Sequence, residues 1–286
     1  MLGKLIKYEF GAIGRKMGPM YLVIAALSIV MGIILRMDET GSGSESDGQA
    51  MHRIELSLIV LGTAFAVMII VMAVMLLVML IQRFSRTVYG TEGYFYMTLP
   101  AGTGEHIWNK TISAVIWSAL TLLVVMGSFA VMVLIGGIMK YPEMVSVDPL
   151  FATKWSMLPM GKVILAALLF ICLMIISAAE FALLLYASIA AGNSASGHRG
   201  LFSTIWFIVF SIVSSIVEFR VIKWTSDFID NADFFRGNEI GNLVFVNSSL
   251  TTINMMLLIN IAVSAAVCAV FFLITYFLVD RKLNLE

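Results

Sequence analysis

One ionisable residue stands where water should not reach. Glu180, in Ala178-Ala179-Glu180-Phe181, falls within an apolar run from Val163 to Ala191. A charged carboxylate in hydrocarbon costs at least about 2.5 to 3.5 kcal/mol, so Glu180 is expected to face the protein interior or to stay protonated. It then either lines a substrate path or a proton-sensitive hinge, or it is a protonated carboxyl hydrogen-bonded between helices. A second candidate is the polar segment Arg83 to Lys110, whose middle reads Thr91-Glu92-Gly93-Tyr94-Phe95-Tyr96-Met97-Thr98-Leu99-Pro100. Gly93 allows close backbone approach, Tyr94, Phe95 and Tyr96 can fill a pocket, and Pro100 stops a short helix. That is what a segment docking on a soluble partner needs. An amphipathic connector resting on lipid headgroups would use the same aromatics.

Other chemistries find no residues. Nothing matches G-x-x-x-x-G-K-S/T, since Gly3-Lys4 and Gly161-Lys162 lack a glycine at the required distance, so ATP-driven work would need a second polypeptide. The three histidines, His52, His106 and His198, are expected in separate loops, with no paired-histidine or Cys-x-x-Cys spacing to hold a metal. Cys172 and Cys268 fall in apolar runs and read as small buried hydrophobes. No serine sits in a Gly-x-Ser-x-Gly elbow. The chain is therefore read as non-enzymatic, with no catalytic and no metal residue.

The elements that must carry Glu180 and the Glu92 to Pro100 segment follow from composition. Of 286 residues, 60% are hydrophobic and 13% charged, with mean hydropathy +0.97. Soluble domains have about 45–50% and about 25%, so this is an integral membrane protein. Lys plus Arg equals Asp plus Glu at 18 each, which gives no basic surface for nucleic acid. Six apolar runs approach the roughly 20 residues that span hydrocarbon: Pro19 to Leu35, Leu56 to Ile81, Thr111 to Met139, Val163 to Ala191, Leu201 to Val217 and Ile253 to Val279. The expected fold is all-α and polytopic, a single transmembrane domain over 1–286.

Before the first run, Leu2, Leu5, Ile6 and Ile13 alternate with Lys4, Lys7, Arg15 and Lys16, the spacing of a helix lying in the headgroup plane over 1–18. Gly18-Pro19 is expected to break it, with Pro19 opening the first span. The basic residues divide ten to eight in favour of both termini being cytosolic, which makes 82–110 a cytosolic loop. On the outer side, Asp38 to Ala50 has a mobile Gly/Ser composition, and 223–250 alternates aromatic and acidic residues like short amphipathic, re-entrant helices. Asn254 and Asn260 read as polar glue between helices. Glu218 and Arg220 read as interfacial anchors at the outer end of the fifth span.

Several strings together resemble the ABC-2 type permease subunits of Firmicutes ABC transporters. They are Glu92-Gly93-Tyr94 to Thr98-Leu99-Pro100 followed by Lys110, the turn from Gly192 to His198-Arg199, and the ending Lys282-Leu283-Asn284-Leu285-Glu286. The resemblance covers nearly the whole chain. It implies that Glu92, Gly93, Tyr94, Phe95, Thr98, Leu99 and Pro100 form a coupling helix fitting a cleft on an ATPase subunit. It implies ATP and magnesium on that subunit and no cofactor on this chain. It further implies a second permease copy or a sister permease, a place in the bacterial cytoplasmic membrane, and export of an amphipathic peptide, drug or lipid. Two readings of other kinds remain. One is a proton-coupled secondary transporter with Glu180 as carrier, and the other is a non-transporting immunity or sensory membrane protein.

Overall fold

The computed structural model describes residues 2–40, 48–90, 102–135, 159–194, 198–231 and 242–281. All regular structure among them is helical: α1 (Leu2–Thr40), α2 (Gly48–Val88), α3 (Thr103–Val133), α4 (Met160–Asn193), α5 (Arg199–Asn231) and α6 (Asn242–Arg281). Each holds a stretch long and apolar enough to cross a membrane, from Ile13–Ile34 in α1 to Leu250–Asp280 in α6. The expected all-α class and the six spans are therefore present. The shortest helix has 31 residues and the longest 41, against about 20 needed for roughly 30 Å of hydrocarbon. A helix satisfies its own backbone, which is why runs of Val, Ile, Met and Leu take this form in a solvent that offers no hydrogen bonds.

One expectation about where helices end is corrected. The chain does not break at Gly18-Pro19, because α1 runs through Pro19 without interruption. Proline forfeits one backbone hydrogen bond but keeps a helical φ, a loss tolerated in membrane helices. The first span accordingly begins at Ile13, upstream of the expected Pro19. At the 82–110 segment, α2 continues to Val88 and α3 opens at Thr103, so Arg83, Arg86 and Lys110 are helical residues. The same happens in 223–250, where α5 carries the helix on to Asn231 and α6 resumes it at Asn242.

The chain divides into two compact units. One contains Gly3–Met79 and Ile116–Phe151; the other contains Leu80–Val115 and Ala152–Glu286 together with Met1–Leu2.

In the first of these, a stripe of α1 at helical spacing (Ile13, Met17, Ile24) meets Phe65, Met72 and Met79 of α2 and Trp117 of α3. Met20, Met68 and Met75 pack against the same core, and Met17 and Met72 are completely buried. Unbranched thioether side chains fill irregular gaps between helices well. Two glycines of α1 set the approach of α3. A Cβ at Gly14 would stand 3.4 Å from the Trp117 ring, and one at Gly32 would stand 2.8 Å from Ile135 Cβ. Small residues let membrane helices come this close. Tyr21 Oη and Thr121 Oγ1 share a hydrogen bond of 2.7 Å across the same seam.

In the other unit α4 is the central element, packed against both α5 and α6. Its residues Ala182 to Ala190 are all buried. Leu183, Leu184 and Ala187 form a core with Ile107 of α3 and Phe271 of α6. Tyr186 stacks on Phe84 of α2, with ring centroids 4.3 Å apart and planes 12° from parallel. Near the end of α4, a Cβ at Gly192 would overlap both the side chain and the backbone of Ser203 on α5. Buried hydroxyls here return to their own helices: Ser188 donates to Leu185 O at 2.7 Å and Thr275 to Phe271 O at 2.7 Å.

Candidate functional site: a polar cleft among three helices

Among the described residues of α4, α5 and α6, a polar cleft of about 400 Å³ interrupts the apolar lining. On α5, Ser211, Ser214, Ser215 and Glu218 recur at i, i+3, i+4 and i+7, so one face of an otherwise apolar helix is polar for two turns. From α4 come Ser177 and Glu180, and from α6 come Asn260 and Ser264. Leu173, Phe181, Leu184 and Val263 complete the lining, so the cleft mixes polar and apolar side chains. Such a lining accepts an amphipathic guest or a small polar one.

Glu180 is 6% exposed, and its carboxylate is held from two other helices. Ser214 Oγ donates to Glu180 Oε1 at 2.9 Å, and the Ser264 hydroxyl bonds the same carboxyl group. Ser214 Oγ also lies 3.4 Å from Glu218 Oε1. The expectation that Glu180 faces the protein interior is met. Glu218, expected at the outer end of the fifth span, is half-buried on α5 and lines the cleft. Arg220 points elsewhere, lining a shallow groove with Ile212, Ile216 and Phe219.

The remaining sequence candidates are distributed as follows. Asn254 ties α6 to α4, donating from Nδ2 to Lys162 O at 3.3 Å, and Lys162 Nζ donates to Thr251 Oγ1 at 2.6 Å. Asn260 Nδ2 donates within its own helix, to Met256 O at 2.9 Å, so its amide lines the cleft and no cross-helix bond from it is seen. His52 and His106, expected in loops, are helical, and His106 is buried on α3. Cys172, expected buried, is exposed on α4 beside Leu168, Ile171 and Ile175. In a chain whose outer surface is itself apolar, a small hydrophobe gains little by turning inward. Among the described residues, no three His, Cys, Asp or Glu side chains gather as metal ligands would. The coupling candidates Glu92, Gly93, Tyr94, Phe95, Thr98, Leu99 and Pro100 lie outside the described residues.

A second polar face lies near the start of α3. His106, Asn109, Lys110 and Ser113 recur at helical spacing on α3, and all are buried. The hydroxyl of Tyr186 donates to Lys110 O at 3.4 Å. Asn109 is wholly buried with neither amide atom hydrogen-bonded to the protein. Tyr89 follows α2 with its ring against Phe84, and burial pushes its phenol well above the usual tyrosine value.

Sequence reasoning named Glu180 but missed the serines beside it. The signal was there: Ser211, Ser214, Ser215 and Glu218 keep a 3.6-residue period in a run that is otherwise Ile, Val and Phe. No family model, curated protein or solved structure matches this chain.

Proposed function

We propose that this chain is the membrane-spanning permease subunit of an ATP-driven bacterial exporter. The observation that carries it is the polar cleft at Glu180, set inside a six-helix membrane protein and lined by both polar and apolar side chains. A membrane protein gains no stability by opening such a cleft unless something enters it. Its mixed lining suits an amphipathic molecule, and the resemblance of the Glu92 to Pro100 segment to ABC-2 coupling loops supplies the energy source. On this proposal the segment docks on a separate ATPase that binds ATP and magnesium. Both termini are cytosolic, the cell membrane is the site of action, and a second permease, identical or sister, completes the pathway.

The test uses the full chain purified with its candidate ATPase, comparing wild type with the combined variant Glu92→Lys, Tyr94→Ala and Phe95→Ala. A docked aromatic anchor contributes about 2 kcal/mol or more, so losing two should lower ATPase affinity more than tenfold while leaving membrane insertion intact. Wild-type association and stimulation of hydrolysis in the variant would remove the coupling role. A second reading, proton-driven transport without ATP, draws support from the acidic residue on the cleft; uptake or export driven by a pH gradient in ATP-free vesicles would favour it.

A further inference from the structure

Two carboxyl groups of the cleft meet at a single serine hydroxyl. Ser214 has one hydroxyl proton, yet its oxygen lies 2.9 Å from Glu180 Oε1 and 3.4 Å from Glu218 Oε1. A hydroxyl can donate to one of these oxygens only; towards the other it presents a lone pair. If both side chains were carboxylates, that second contact would set oxygen lone pairs against each other. The two carboxyl groups also lie near enough to interact directly, one from α4 and one from α5. Two like charges at this distance in a membrane-spanning bundle repel strongly, because little water screens them.

The charges around the pair offer no relief. From α4 the facing ionisable group is Glu180 itself, from α5 it is Glu218, and from α6 it is Cys268, which lies near Glu180 and is neutral or negative, never positive. No Lys, Arg or His is among the described residues lining the cleft. Arg220, two residues after Glu218, is exposed and lines the other groove. A cation must therefore come from outside the side-chain inventory, and the smallest one that turns an opposed lone pair into a hydrogen bond is a proton.

We propose that Glu180 and Glu218 form a carboxyl–carboxylate pair that binds one exchangeable proton between α4 and α5, with Ser214 as the hydroxyl that connects them. In this arrangement the protonated carboxyl donates, Ser214 Oγ accepts from it, and Ser214 donates onward to the remaining carboxylate. Releasing the proton to water through the cleft leaves two negative groups on adjacent helices, which drives α4 and α5 apart at this level. Rebinding it restores the chain of hydrogen bonds. Proton occupancy thereby sets how tightly the two helices close around the cleft, whichever energy source drives transport.

Infrared spectroscopy of the full chain in lipid nanodiscs tests this without any transport measurement. At a pH of about 8, carboxyls with ordinary values near 4 are ionised, so a protonated carboxyl stretch reports buried acids alone. The wild type should show one such band that shifts in D2O and disappears on alkaline titration. E180Q should abolish it, whereas E218Q should keep it but shift its frequency and its alkaline titration, since the carboxylate to which Ser214 donates onward is gone. S214A should keep the band but move its frequency, because the bridging acceptor is gone. Absence of the band in the wild type, or its survival unchanged in either Gln variant, would overturn the shared proton. The wild-type band and its titration decide the matter even if a variant folds poorly.

Discussion

At the scale of single residues, the position of Glu180 was legible and its partners were not. An acid in an apolar run must turn inward, and Glu180 does, to 6% exposure. What the linear chain does not display is which helices meet it, so Ser214 and Ser264 could not be assigned as its hydrogen-bond donors. The place of Glu218 on the cleft was missed for a related reason: the apolar run falters after Val217, whereas α5 continues to Asn231 with its polar stripe on the cleft. The same geometry predicts how substitution behaves. Glu180→Gln keeps an acceptor for Ser214 and should assemble at close to wild-type yield. Glu180→Lys removes the acceptor of Ser214 and Ser264 and forces a longer, charged side chain into a packed helix interface, so it should lower the yield. Monodisperse yield after detergent extraction compares the two. Equal yields would mean that the cleft is far wetter than its lining implies.

At the scale of elements, existence and type were read correctly from hydropathy, while helix ends were not. Pro19 reads as a boundary in sequence, yet α1 passes through it, since the cost of one lost backbone bond is small against 39 residues of continuous helix. The approach of α4 to α5 is set by a contact invisible in composition. Gly192 leaves room for Ser203, and any Cβ there would collide with the backbone of α5. Gly192→Val should therefore force α5 outward and destabilise this unit by about 1–3 kcal/mol, the usual cost of overpacking. Gly161→Val, where a Cβ would meet nothing within 4 Å, is the control and should be near neutral. Thermal unfolding in detergent separates them; similar midpoints for both would show that the helices slide apart without penalty.

At the scale of the whole molecule, an even number of spans would place the two termini on one side, and the ten-to-eight division of basic residues leads us to propose the cytosol for that side. With Cys172 and Cys268 first replaced by Ala, single cysteines at Ser44 and Ser226 should label in intact cells with an impermeant maleimide, whereas Ser85→Cys and Ser196→Cys should label only after permeabilisation. Labelling of Ser85→Cys from outside would invert the topology and take the Glu92 to Pro100 segment away from any cytosolic ATPase. The methionine core of the unit built from α1, α2 and α3 carries a different kind of consequence. Met17 and Met72 are wholly buried, whereas Met126 and Met255 are 62% and 59% exposed. Peroxide converts a thioether to a polar sulfoxide that no packed core accommodates. The outer methionines should therefore oxidise first and leave the fold intact, while Met17 and Met72 react only when their own unit opens. Their sulfoxide content, read by mass spectrometry after a timed exposure, becomes a chemical clock of how often that core comes apart during the life of the protein.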